Sequence, residues 1–309
     1  MPTECDVVGL VLHFRTPERT HACLRSLSDE GICKAVLVDN SEDGGRSVHA
    51  MQPGLERLAD AGLRVEVLQP GHNLGFAAGV GLGLEHLSRN RRSPVLLINS
   101  DAMLERGALA AMMRDLRNAA CVALPARSGS KALPTAPIVF YHRLFALYLR
   151  RSSAGSLSYP SGCCLLISED QVRPDLFDKD FFFYGEDVMF GFDLERRGFS
   201  VAECKDASVI HAGSASSKNG SMFYEYHMVR AHWLLASKLA RNPFERFLFV
   251  AARCVTLPLR ACVRSLRSRS LTPWRGLFAA TADVTRDRCR SFTPPAIRSS
   301  SDRSGAARR

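Results

Sequence analysis

The sequence predicts an α/β fold: a mainly parallel central sheet flanked by helices, followed by a basic helical extension. Two observations carry this. Apolar strand-like runs alternate with helix-like segments over the first part of the chain, which argues for parallel strands joined by crossover helices. The chain also changes character near residue 240, where a strong basic excess begins. From 238 to 309 there are 16 Lys/Arg against 4 Asp/Glu, so this stretch carries more than the whole +10 of the protein, and the preceding body is slightly acidic.

The elements follow in order. Residues 6–14 form a β-branched run bounded by Pro17. Residues 18–28 read as a helix, with Leu24 and Leu27 on one face. Second and third strands are expected over 34–40 and 63–68, a helix over 75–87 and a fourth strand over 95–101. A helix over 105–117 and a strand over 121–125 complete the alternation. Residues 126–158 are less regular, and 127–137 read as a mobile loop rich in small residues and proline. A turn at 158 enters an apolar strand ending near 168. An amphipathic segment over 188–198, a short strand over 209–214 and a helix over 223–240 follow. After Arg290 the chain is Ser, Arg and Pro and is expected to be disordered. The implied division is a domain over 1–240, a helical extension over 241–290 and a tail over 291–309.

Composition narrows the class. With 309 residues, 46% hydrophobic and 23% charged, the chain can bury a large core, which excludes a disordered or fibrous protein. No basic leader precedes the first strand, and no run of 18 apolar residues occurs, so neither a signal peptide nor a spanning helix is expected. The ten cysteines are scattered without a C-x-x-C pair, which argues against a zinc knuckle, suits a reducing cytosol and makes most of them small core hydrophobes.

Five places carry candidate chemistry. Asp101 ends a buried strand, where an acid suits a hard divalent cation or caps the next helix. Asp39 and Asn40 open a polar turn after the second strand, suited to a nucleoside or to ordinary turn chemistry. Residues 71–83 form a glycine-rich helix entry that suits a phosphate, or close helix–sheet packing at Gly79 and Gly83. This entry does not match the G-x-G-x-x-G dinucleotide pattern. Glu186-Asp187 follow an aromatic run. Mutual repulsion raises one carboxyl toward the range of a general base, unless the pair is an exposed helix start. His211 ends a short strand, as a structural residue or a ligand beside Asp101.

The order of these segments resembles family 2 glycosyltransferases with the GT-A fold, in particular bacterial rhamnosyltransferases. The resemblance runs over roughly residues 5–240. It rests on His13–Glu18, Val38–Ser41, Asn73–Gly79, Leu97–Asp101, Ser161–Cys164, Phe183–Val188 and His211–Ser214, each weak alone and strong in sequence. It implies that His13, Arg15, Asp39, Asn73, Gly75, Phe76, Gly79 and Asn99 bind a nucleotide-sugar. It further implies that Asp101 and His211 hold Mg²⁺ or Mn²⁺. Gly162, Cys163, Tyr184 and Glu186 would face the acceptor, and Asp187 would be the base. The implied reaction is an inverting transfer of a sugar, L-rhamnose first, to a polysaccharide or lipid-linked glycan. The implied location is cytoplasmic, at the inner face of the cell membrane. The chain departs from the family pattern at Asn99 and Met189, where relatives carry acids, and at Gly81 and Arg15, where they often carry Asn. A nucleotidyltransferase on a similar sheet and a catalytically silent membrane-surface binder are the alternatives.

Arg246, Arg253, Arg260 and Arg267 recur every seven residues among apolar residues. This predicts a helix, kinked by Pro258, that lies in an anionic membrane interface through 243–270 or packs on the domain with its arginines outward. No recognition fold accompanies the charge, so nucleic acid is not an expected partner.

Overall fold

A computed structural model describes residues 6–89, 93–127, 133, 135–211 and 220–289. Its first half alternates as the periodicity predicts: β1 (Val8–His13), α1 (Pro17–Asp29), β2 (Lys34–Asp39), α2 (Arg46–Asp60), β3 (Arg64–Leu68), α3 (Gly75–Ser88) and β4 (Val95–Asn99). There follow β5 (Ala102–Leu104), α4 (Ala108–Asp115), β6 (Cys121–Ala123), β7 (Ala126–Arg127), β8 (Ile138–His142), β9 (Leu147–Leu149), β10 (Ser156–Pro160) and β11 (Cys164–Ile167). Last come α5 (Glu186–Arg196), β12 (Val201–Glu203), β13 (Val209–His211), α6 (Met222–Lys238), α7 (Pro243–Ser268) and α8 (Thr272–Thr285).

Seven strands form the central sheet in the order β12-β6-β11-β4-β1-β2-β3. Only β11 runs antiparallel to its neighbours, β4 and β6. Strands such as Val95–Ile98 are buried on both faces, the reason their sequence is continuously apolar rather than alternating. One apolar core lies on each side of the sheet, under α1, α2 and α4 on one and under α3 and α5 on the other. Gly83 lets α3 approach closely: a Cβ there would meet Leu10 Cδ1 at 2.4 Å.

Helix α2 was not legible in the sequence, because Pro53 and Gly54 interrupt its interior. Gly54 has a packing reason, since a Cβ would meet the His21 ring of α1 at 2.3 Å. The irregular stretch 126–158 contains a three-stranded sheet, β10-β8-β9. Most of the predicted loop over 127–137, the predicted strand's end at 212–214 and the tail after 290 lie outside the described residues. Among the described residues five free cysteines are buried as core residues and three are exposed, but Cys33 is disulfide-bonded, which the scattered spacing did not reveal.

Helices α7 and α8 pack on α6 through Tyr226, Val229, Leu257, Ala261, Leu277 and Ala280. The arginine stripe does not face outward as a whole. Arg253 is fully buried, and its guanidinium donates to the carbonyls of Leu144, Arg143 (2.7 Å) and His232 (3.3 Å). Arg260 lies 3.4 Å from the Tyr224 hydroxyl, and Arg264 pairs with buried Glu225 at 2.5 Å. These arginines therefore turn into the domain, because carbonyls and a buried carboxylate wait for them there. Pro258 lies inside the continuous span of α7.

Candidate functional site

Parallel pairing sets the first part of the site. β1 lies between β2 and β4 in a register that pairs His13 with Asp39 and Leu12 with Asn99. The carboxyl ends of three strands are thereby level, the usual ligand edge of such a sheet. His13 is fully buried and its Nδ1 lies 2.7 Å from Thr20 Oγ1, while its Nε2 has no partner. Burial lowers its pKa against the opposing charges of Asp39, Asp43 and Glu18, which keeps the imidazole neutral near pH 7. Asp39 accepts the Ser41 N–H at 3.0 Å. Arg15, in the left-handed region at φ 54, donates its Nε to the Ser41 carbonyl at 2.7 Å and ties the first loop to the second.

The entry of α3 is fastened to the same edge. Asn40 donates its side-chain amide to the Gly75 carbonyl at 2.9 Å, and Asn73 Oδ1 accepts the Gly75 N–H at 2.9 Å. Gly79 lies against Leu12 and Asn40. Gly75 takes φ +75, and a Cβ there would stand 2.3 Å from the Phe182 carbonyl oxygen. That same oxygen accepts the Phe76 N–H at 2.8 Å. The aromatic run before the acidic pair is thus clamped onto the glycine-rich helix entry.

The Asp101–His211 pair is made by a small sheet. β13 runs antiparallel to β5 with His211 opposite Ala102, which brings the ring beside Asp101 across 110 positions of sequence. His211 Nε2 lies 3.1 Å from Asp101 Oδ1. Burial alone raises the Asp101 carboxyl, but the hydrogen bond and charge of His211 outweigh it and leave it below its ordinary value. The bonds to Asp101 and to Cys163 raise His211 to about 10. The two form an imidazolium–carboxylate pair. As a donor set this is one carboxylate and one imidazole, and among the described residues no group of three candidate metal ligands occurs. An imidazolium has no free lone pair, so as the pair stands only Asp101 could take a cation. With His211 deprotonated the two would supply one carboxylate and one imidazole, and a diphosphate and water the rest.

The acidic pair is held differently. Phe181 is buried against Gly185, which takes φ +92 and precedes α5. Tyr184, at φ 66, meets Phe183 and Tyr224 edge to face. Glu186 is 8% exposed and its Oε2 has no partner. Asp187 is half-buried, and its Oδ1 accepts the Val188 N–H at 2.9 Å. Burial raises Asp187 to about 6. Burial, and then the charge of Asp187, raise Glu186 well above the usual carboxylate range. Asp187 therefore ionises first and its charge holds Glu186 protonated. Burial, and then the charge of Asp187, help to hold the Tyr159 hydroxyl protonated, and the exposed Tyr148 packs edge to face on Tyr159. The sequence reading missed both tyrosines.

A continuous run of contacts joins these parts. Phe182 holds Phe76; the Phe76 ring faces Gly162, 3.6 Å from where a Cβ would lie; Cys163 follows. The Cys163 carbonyl accepts the Asn99 N–H at 3.0 Å, and its side chain bonds His211. The acidic loop, the glycine-rich entry and the carboxylate–imidazole pair are thus linked through 76, 162 and 163.

The fold and these groups define a mixed α/β protein with a mainly parallel sheet and an acid-bearing edge. No family model matches the chain, and no curated protein matches it in sequence. Among solved structures it is similar to a crystal structure of S. aureus TarS 1-349, with 13% identity and a TM-score of 0.46 over 91% of this chain and 92% of that one. It is also similar to a longer crystal structure of S. aureus TarS, with 14% identity and a TM-score of 0.43 over 81% of this chain and 42% of that one.

Proposed function

We propose that the protein is an inverting glycosyltransferase that moves a sugar from a nucleotide-sugar to a hydroxyl of a glycan or lipid-linked acceptor. The observation that carries the reading is the clamp of Phe182 on Gly75 and Phe76. It ties a carboxylate with a pKa of about 6 to the carboxyl edge of a parallel sheet. A base poised near neutral pH at such an edge suits proton removal from a hydroxyl.

In this reading Asp187 takes the proton from the acceptor hydroxyl. The acceptor oxygen bonds to the anomeric carbon of the donor as the bond from that carbon to the phosphate oxygen breaks. The nucleoside diphosphate leaves with the electron pair. Protonated Glu186 and the hydroxyls of Tyr148 and Tyr159 orient the acceptor, and Asp39 with the Arg15 loop holds the nucleoside. Asp101 and His211 are the residues that would hold a divalent cation, which when bound supplies positive charge to the departing diphosphate. The resemblance to rhamnosyltransferases makes dTDP-L-rhamnose the first donor to try.

The test is a panel of nucleotide-sugars with Mn²⁺, scored first by thermal shift, because a bound donor stabilises the fold by mass action. Turnover with the donor so identified is then compared in Asp187→Asn. The expected result is a preserved donor-induced shift with turnover lower by roughly 10²–10⁴. Full turnover in Asp187→Asn, or no shift with any nucleotide-sugar, would overturn the reading.

A further inference from the structure

Helix α7 is built inside out. Its buried positions are Phe249, Arg253, Leu257 and Ala261, one face at four-residue steps. The opposite face is apolar and bare: Phe244, Phe247, Val255, Leu259 and Leu266 are each between 62% and 75% exposed. Ala251 and Cys262 fill the gaps in that stripe and are also exposed. At 100° per residue these positions lie on one side of a rod that runs roughly 39 Å over its 26 residues. A soluble helix normally turns its apolar stripe inward and its arginines outward. Here Arg253 is spent on the carbonyls it reaches and Arg264 on Glu225, both within the domain, while five large apolar residues are left outside.

A bare stripe needs an occupant, and charge selects it. Residues 246–282 contain seven arginines and no acidic residue. Arg246, Arg267, Arg269 and Arg275 are exposed. A second copy of the chain laid on this face would bring two such cationic extensions together. An anionic surface would be attracted to that charge while accepting the stripe. Among the described residues no helix is long and apolar enough to cross a membrane, so the fitting geometry is a helix lying in the interfacial plane.

We infer that the outer face of α7 seats in the headgroup region of an anionic lipid bilayer, with Phe244, Phe247, Val255, Leu259 and Leu266 as the inserted residues. The attachment is borne by the bare apolar face, with the exposed arginines of the basic extension steering it. It stands independently of the transferase reading.

The test is co-sedimentation of the full chain with phosphatidylcholine vesicles, with and without phosphatidylglycerol, together with light scattering of the protein alone. The wild type should sediment with the phosphatidylglycerol vesicles and release in high salt. Replacing Phe247, Val255, Leu259 and Leu266 together by Gln should weaken that binding by roughly tenfold or more while leaving the melting temperature and solution mass unchanged. Wild-type protein that ignores phosphatidylglycerol vesicles overturns the inference. So does a Gln variant that binds as the wild type does, or a wild-type dimer that the Gln variant dissolves without any lipid binding. If the fourfold variant is poorly folded, the singly substituted Phe247→Gln and Leu266→Gln proteins, each changed at an exposed position, should each lose a smaller part of the vesicle binding. Wild-type binding in both would overturn the inference equally.

Discussion

The molecule holds two partly buried ionisable pairs at the ends of one run of contacts, and they are opposites. Asp101 and His211 carry opposite charges and answer each other at 3.1 Å. Glu186 and Asp187 are both acids and would repel if both ionised, and one Glu186 oxygen has no partner. Their effects on stability have opposite signs. The raised pKa of His211 contributes stability that is full below 6.5 and lost as pH rises through about 10. The lowered pKa of Asp101 contributes stability present above 3.8 and lost on acidification. The acidic pair is raised instead, so it opposes folding increasingly as pH rises. A fold tolerates such a pair only if its surroundings over-determine it, and unfavourable burial of titratable groups is a mark of sites kept for chemistry.

The largest effect should come from cutting the link between the two pairs. Gly75→Ala puts a methyl group where φ is +75 and the Phe182 oxygen stands 2.3 Å away, with backbone on both sides of the clash. The left-handed strain and the displaced aromatic run together should lower stability by about 2–4 kcal/mol in urea unfolding. The donor-dependent turnover should fall with it. A Gly75→Ala protein with wild-type stability would mean that the clamp does not hold the acidic loop.

Much of this arrangement was legible in the sequence, and the rest was hidden for definite reasons. The strands at 8–13, 34–39 and 95–99 showed because buried parallel strands are continuously apolar, and the edge strand at 64–68 because it alternates. Asp101 and His211 were singled out together because acids and histidines at strand ends are rare choices for a core. The hydrogen bond between them follows from a strand pairing that no local pattern displays. Tyr159 is brought to the acidic pair, and Tyr148 to Tyr159, through the β8–β9–β10 sheet, again by long-range pairing. The arginine repeat of α7 shows which residues share a face but not which way that face turns. Arg253 is satisfied by three carbonyl oxygens, and carbonyls are common to every residue. Helix α2 was masked by Pro53 and Gly54, a local cost overridden by packing against α1.

A middle-sized effect isolates the opposite-charge pair. His211→Ala leaves Asp101, only 14% exposed at its side chain, without its main counter-charge. A fully buried charge stripped of its partner costs roughly 3–5 kcal/mol, and partial solvation here reduces that to about 2 kcal/mol. Denaturant unfolding at pH 7 measures it. The same variant should lose the Mn²⁺-dependent part of any donor-induced thermal shift, whereas a purely structural His211 would leave that part intact.

The smallest effect is the sharpest, because its sign separates the two pairs. Glu186→Gln fixes the residue in the neutral form that the charge of Asp187 already imposes near pH 7. An unfolded glutamate ionises around 4.5 and the folded one far higher, so the native state binds the extra proton across that interval. Native stability in the wild type therefore falls as pH rises above 4.5, by the linkage between proton binding and folding. The variant lacks this slope. It should match the wild type near pH 4 and gain on it as pH rises toward 8, by at most about 1.4 kcal/mol per pH unit, in paired urea melts. The activity–pH profile should keep its acid limb at about 6, because Asp187 is raised by its own burial and not by Glu186. A variant that loses stability at pH 8, or an acid limb that drops toward the ordinary aspartate value, would mean that Glu186 is charged in the native protein and that the two carboxylates share their burden.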